Sequence, residues 1–347
     1  MPFSSSSLIK PVIVSRSDPA CQTRDWRAEL RDAFTEPRDL LRFLELDPEL
    51  LPGAVSAARG FRLLVPRGYA SLMQIGDPDD PLLRQVLPLA AELKAQPGFV
   101  MDPVGDRAAT HATGLLQKYQ GRALIVATGA CAIHCRYCFR RHFPYADHRG
   151  WHDDWNVITQ WLVDAPDIAE IILSGGDPLM LDDEALSGLL SALEAIGHLR
   201  RLRIHTRMPI VLPSRITFDL CNRLEASRLQ VVVVIHANHP AEIRACTASP
   251  LQRLRERGIQ LLNQSVLLGG VNDGVELLRD LSQALFSQGV LPYYLHQLDQ
   301  VQGAAHFAVP ERRARELLND LRRCLPGYLV PRLVREEAGV PYKTPIA

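Results

Sequence analysis

From Arg122 onward the chain settles into a rhythm that few folds can accommodate. Short apolar runs occupy 122–128, 168–174, 202–206, 229–236, 259–268 and 292–299. Between most of them lie stretches of helical period. Segment 182–196 sets Leu186, Leu189, Leu190 and Leu193 on one face, starts with acidic residues and is followed by Gly197. Segment 274–288 repeats the pattern with Leu277, Leu278, Leu281 and Leu285, and Pro310 can open a last helix through Leu317 and Leu321. Six strand–helix units spaced mostly about 30 residues apart predict a parallel α/β sheet. By count alone an open doubly wound sheet fits as well, and six units fall short of a full eight-fold barrel. Neither G-x-G-x-x-G nor G-x-x-x-x-G-K-[ST] occurs, so no motif for cradling phosphates decides the choice.

The N-terminal part reads differently. Residues 1–105 look mainly helical, with 26–34 and 39–46 as helices and Pro- and Gly-bearing turns breaking up 51–80. The α/β rhythm fills 106–326, and a short tail covers 327–347. At 47% hydrophobic and 22% charged residues the chain can bury a core, which excludes disorder. Its 39 basic side chains balance 39 acidic ones, which argues against general binding to nucleic acid or a membrane surface. No run approaches the roughly 18 apolar residues of a membrane span, and the start lacks the apolar core of a secretory leader. Only four basic residues are lysines: Lys10, Lys94, Lys118 and Lys343. Chemistry that needs an amine side chain has few places to go.

Three of the seven cysteines, Cys131, Cys135 and Cys138, fall in a C-x3-C-x2-C pattern just after the first strand of the rhythm. Cys21, Cys221, Cys246 and Cys324 are scattered. This is no disulfide framework; it reads as a metal site in a reducing compartment, with the cytoplasm as the default. Three thiolates can hold three irons of a four-iron cluster and leave the fourth iron open to a ligand. Chance clustering of buried thiols, or a zinc site completed by His134 or His142, leaves the aromatic Tyr137 before the third cysteine unexplained.

Cys131, Cys135, Tyr137 and Cys138 resemble the C-x3-C-x-aromatic-C signature of the radical S-adenosylmethionine (SAM) superfamily. That resemblance implies a partial (β/α)6 barrel and a [4Fe–4S] cluster whose open iron chelates SAM. Gly175-Gly176-Asp177, closing the second strand, is similar to the superfamily motif whose backbone meets the SAM amino group. A narrower resemblance runs over 115–343, to the lysine 2,3-aminomutases, which use pyridoxal 5′-phosphate (PLP). It covers Cys138-Phe139-Arg140-Arg141, Ser174-Gly175-Gly176-Asp177, His236-Ala237-Asn238-His239-Pro240 and Asn263-Gln264-Ser265-Val266-Leu267-Leu268. Gln297-Leu298-Asp299, Gly303, His306-Phe307 and Lys343-Thr344-Pro345 complete it.

By that resemblance Lys343 holds PLP, so the tail is a PLP-binding tail on the barrel. Arg140 takes the substrate carboxylate, Asp299 the ε-ammonium of L-lysine, and His236 and Gln264 lie near SAM. Glu336 stands where the free-lysine enzymes have a second aspartate, and of their glycine run only Gly339 remains clearly. Together with an ending at Ala347, these departures resemble the branch that serves β-lysylation of elongation factor P (EF-P) beside a lysyl-tRNA-synthetase-like ligase. The implied chemistry takes an electron from a reductant such as flavodoxin or ferredoxin, cleaves SAM to a deoxyadenosyl radical and moves the amino group from Cα to Cβ. A stand-alone mutase for lysine catabolism or osmolyte synthesis is the alternative, and a non-enzymatic zinc or iron–sulfur protein a more distant one.

Overall fold

A computed structural model describes residues 25–145 and 155–346. Lys10, Cys21 and the reading of the N-terminal start therefore lie outside the described residues. All six strands expected from the rhythm form: β3 (Arg122–Thr128), β4 (Glu170–Gly175), β5 (Arg201–Thr206), β6 (Gln230–Ile235), β7 (Gln260–Val266) and β8 (Leu291–His296). Before them lie two more, β1 (Thr110–Ala112) and β2 (Leu115–Tyr119); after them come β9 (Arg332–Arg335) and β10 (Thr344–Pro345).

The strands follow one another in the sheet in sequence order, β1 to β10. Every neighbouring pair from β3 to β9 is parallel, whereas β1–β2, β2–β3 and β9–β10 are antiparallel. A doubly wound sheet must reverse its strand order at a switch point. This one never does. The sheet belongs to a barrel left incomplete, since β1 and β10 end it instead of pairing with each other.

The helices follow from local chemistry. The Asp182 carboxylate caps Asp183–Glu194 by accepting the Ala185 N–H at 2.8 Å, and Leu186, Leu189, Leu190 and Leu193 are buried beneath it. Helix Val275–Ser287 buries Leu278, Leu281 and Leu285 but leaves Leu277 half-buried, and Glu311–Cys324 buries Leu317 and Leu321. The expected N-terminal helices also form, as Trp26–Arg31 and Pro37–Phe43. Leu40 of the second helix and Leu44 just after it share one apolar core with Ile125 and Leu173 of the sheet.

The last residues differ from a plain tail. β9 pairs with β8 in parallel, setting Leu295 beside Leu333 and His296 beside Val334. Leu333 and Ile346 join Leu295, Leu317 and Leu321 in a second apolar cluster. A four-residue strand and a two-residue one carry too little period to be read from sequence, so their pairing emerges only with the sheet. No helix among the described residues is long and apolar enough to cross a membrane.

Candidate active site

A cavity of about 260 Å³ opens where the parallel strands end, and it brings together the residues to which the resemblance gave a role at the cluster, SAM, PLP or substrate. Cys131, Cys135, Cys138 and Arg140 come from the loop after β3; Gly175, Gly176 and Asp177 close β4. His236 follows β6, Gln264 sits on β7, Asp299 lies three residues beyond the end of β8, Glu336 directly follows β9 and Lys343 directly precedes β10.

The N-terminal region holds the cysteine loop in place. Backbone N–H groups of His134 and Arg136 donate to the carbonyls of Leu64 (3.0 Å) and Gln85 (2.8 Å). The Arg136 guanidinium, with no exposed surface, makes a two-pronged ion pair with Glu92 at 2.8 and 2.6 Å, and Arg141 reaches the same carboxylate at 2.7 Å. His134 is spent on the Arg62 carbonyl and stacks on Phe61, while His142 lies 3.1 Å from the Gln302 carbonyl; neither lines the cavity. Among the described residues no three His, Cys, Asp or Glu side chains stand together as a group for one metal ion.

Burial, then the charge of neighbouring Cys135, pushes the Cys138 thiol up to about 11, and burial followed by Cys138 raises Cys131 as well. Cys131 and Cys138, two half-buried thiols that resist ionising on the same loop as Cys135, are stable as thiolates only beside a cation. A cluster in which each thiolate holds its own iron supplies that charge, and the donor set fits it.

The Gly-Gly-Asp turn fastens β4 to this loop. Gly176 N–H donates to the Thr128 carbonyl at 2.7 Å and Asp177 N–H to the Ala130 carbonyl at 2.8 Å. A Cβ on Gly176 would sit 2.3 Å from the Ala130 oxygen and 2.8 Å from the Gly129 carbonyl carbon, so backbone, not a ligand, already demands glycine there. Gly176→Ala is expected to cost about 3 kcal/mol through overpacking against rigid backbone. Urea unfolding of the apo chain checks this, and a loss below about 1 kcal/mol would contradict it. The Asp177 carboxylate faces inward: it accepts from the Thr206 hydroxyl (2.8 and 3.0 Å) and the backbone N–H groups of Arg207 (2.7 Å) and Leu179 (3.0 Å). These bonds tie β4 to β5, so the side chain is structural and only the turn's backbone is left to meet a ligand.

Three imidazoles line the cavity at the strand ends: His205, His236 and His296. Burial keeps all three neutral, pushing His236 down to about 3, and each has a buried Nε2 without a protein partner. Unsatisfied polar atoms on a cavity wall call for a polar ligand. A cofactor with hydroxyl and amino groups, such as SAM, meets that need.

Charged residues gather toward the tail. Lys343 Nζ lies 2.5 Å from Glu336 Oε2, and the other Glu336 oxygen accepts from the Tyr119 hydroxyl at 2.6 Å and lies 3.6 Å from Lys118. Lys118 also meets Asp106 at 2.6 Å, and the second Asp106 oxygen takes Arg140 Nε at 2.7 Å. Burial would raise Asp106, but the Arg140 and Lys118 charges outweigh it and hold the carboxyl at about 2. Arg140 Nη1 donates to Ser174 at 3.0 Å, so the guanidinium is both a structural ion pair and a lining group. Burial lifts Asp299 to about 7 even though the Lys343 charge opposes the shift.

Asp106, Lys118, Tyr119, His205, Arg207 and His296 escaped the sequence reading. Lys118 alone carried a signal there, as one of four lysines.

No family model matches the chain. It is 49% identical over 324 residues to the L-lysine 2,3-aminomutase of Escherichia coli K12, covering 93% of this chain and 94% of that one. It is 34% identical to the L-lysine 2,3-aminomutase of Clostridium subterminale, over 93% of this chain and 77% of that one. Among solved structures it is similar to a radical SAM methyltransferase from Sphaerobacter thermophilus, with TM-score 0.46 and 18% identity over 64% of this chain and 68% of that one. By the extent of the first two matches, the chain belongs to the radical SAM lysine 2,3-aminomutases, isomerases that work with a [4Fe–4S] cluster and SAM.

Proposed function

We propose that this chain is a PLP-dependent L-lysine 2,3-aminomutase whose β-lysine serves the β-lysylation of EF-P. The observation that carries the PLP part is Lys343, whose Nζ stands inside the same cavity as the three cysteines and is oriented by Glu336 at 2.5 Å. Bound there, PLP would supply delocalisation for the migrating amino group and SAM the radical that starts the reaction. The protein's own residues do the placing. Arg140 takes the substrate's α-carboxylate with the N–H groups not committed to Asp106 and Ser174. Asp299 and Glu336 receive the ε-ammonium. An Nζ occupied by PLP leaves Glu336 short of a cation, and the substrate's ammonium restores it. His236 and Gln264, with the backbone of Gly175 and Gly176, border the space left for SAM.

The EF-P role is supported by Glu336, the longer acid in place of aspartate. The products leave for a lysyl-tRNA-synthetase-like ligase, and a flavodoxin- or ferredoxin-type protein delivers the electron in the reducing cytoplasm. Deleting the gene is expected to remove β-lysyl-modified EF-P from the cell, read by intact-protein mass spectrometry. Fully modified factor in the deletion strain would overturn the assignment and leave free-lysine metabolism as the role.

A further inference from the structure

Arg207 follows directly on β5 and is buried, with Nη1 2.8 Å from Cys135 Sγ. The rest of its guanidinium is fixed. Nη2 meets Glu242 Oε1 at 2.5 Å and Gln85 Oε1 at 2.6 Å, with the Tyr69 hydroxyl at 3.3 Å. Glu242, fully buried, is itself held by the Tyr69 hydroxyl at 2.8 Å and by the backbone N–H groups of Asn238 and His239 at 2.6 and 2.9 Å. The Arg207 backbone is pinned to Asp177 at 2.7 Å. The guanidinium cannot leave the sulfur without breaking this network, so one thiol carries a rigid, permanently cationic N–H donor.

We propose that Arg207 raises the reduction potential of the cluster held by Cys131, Cys135 and Cys138, by donating an N–H···S hydrogen bond to Cys135. The inference rests on the cluster reading and adds a positioning residue to it. In the reductive step a one-electron donor protein gives up one electron and the cluster gains it; no bond breaks and no proton moves. The added electron makes the cluster and its ligand sulfurs more negative. A fixed cationic donor on one sulfur therefore stabilises the reduced form more than the oxidised one. Glu242 balances the Arg207 charge from the far nitrogen, leaving Nη1 directed at the sulfur.

The test is EPR-monitored redox titration of the anaerobically reconstituted full chain, after iron and sulfide have been counted. Arg207→Lys keeps the charge that Glu242 requires but loses the planar fork that spans Glu242 and Cys135. The ratio of reduced to oxidised cluster at fixed potential is expected to fall at least tenfold, a midpoint lower by about 59 mV for one electron. Arg207→Met combined with Glu242→Gln removes both charges together and is expected to shift the midpoint in the same direction. A wild-type chain that binds no iron or sulfide defeats the cluster reading itself. A wild-type cluster whose ratio is matched within about threefold by either cluster-bearing variant overturns the role of Arg207 alone. Folded variants that hold no cluster overturn it too, because they assign Arg207 to retention. Should neither variant fold, wild-type holoenzyme labelled with guanidino-¹⁵N arginine decides. Pulsed EPR of its reduced cluster is expected to show an arginine nitrogen coupling, and its absence overturns the proposal.

Discussion

Lys343→Ala is expected to reduce mutase turnover by at least about 10³-fold and to abolish the PLP–protein adduct, while iron and sulfide content stay at the wild-type level. The separation follows from geometry. Lys343 belongs to the tail end of the cavity, whereas the cysteine loop is held by Glu92, Gln85 and Leu64 of the N-terminal region. Glu336 would keep the Tyr119 hydroxyl and the more distant Lys118 after the substitution. Among the described residues Lys118 is the other lysine lining this cavity, and Asp106 and the Val104 carbonyl restrain it at 2.6 and 2.8 Å. Reduction of the Schiff base followed by peptide mapping reads the outcome directly. An adduct that persists in Lys343→Ala and disappears in Lys118→Ala would transfer the role to Lys118.

Asp299→Asn is expected to lower kcat/KM for lysine by about 10²- to 10⁴-fold, since removing one partner of a buried ion pair costs about 3–5 kcal/mol. The pH profile gives a sharper reading. Burial places the Asp299 carboxyl near 7 in the free protein. Below that pH the group is mostly neutral and has no charge to offer an ammonium. The wild-type kcat/KM should therefore climb through about pH 7 and level off above it. A bound ammonium favours the carboxylate, so the corresponding limb in kcat should sit at lower pH. In Asp299→Asn the limb near 7 should vanish, and its persistence would assign it to another group. Stability runs the opposite way. A carboxyl whose folded pKa is raised binds its proton more tightly than in the unfolded chain, so its contribution falls as pH rises from about 4 to 7. Wild-type unfolding free energy should lose this increment across that window, and the asparagine variant should not.

The parallel strands were legible because each carries its own apolar run of adequate length, as in the 230–235 stretch of β6, and the helices because Leu186 to Leu193 repeat at helical spacing. The cysteine triplet was legible because its spacing is local. Lys343 stood out against a composition of four lysines, one of which lies outside the described residues. Two of the three neutral imidazoles were not: His205 and His296 look like any strand-end histidine until the sheet brings them to the cavity that His236 also lines. Asp177 lies in a turn that lines the cavity, yet its carboxylate turns inward because Thr206 and the Arg207 N–H meet it from the next strand and just beyond it.

By itself, then, the sequence determined the elements and the chemistry they carry: strands, helices, three thiols and one conspicuous amine. These are properties of spacing along the chain, and spacing is set by covalent geometry. Tertiary structure alone decided that the sheet runs in unbroken order without a switch point, and that the tail enters it as β9 and β10. It also decided that Glu92 holds the cysteine loop, that Lys118 and Asp106 join Glu336 and Arg140, and that Arg207 faces Cys135. Those pairings bring together residues far apart in the chain, and no local pattern encodes them. They exist only once strand register and burial have fixed which side chains share the same small volume.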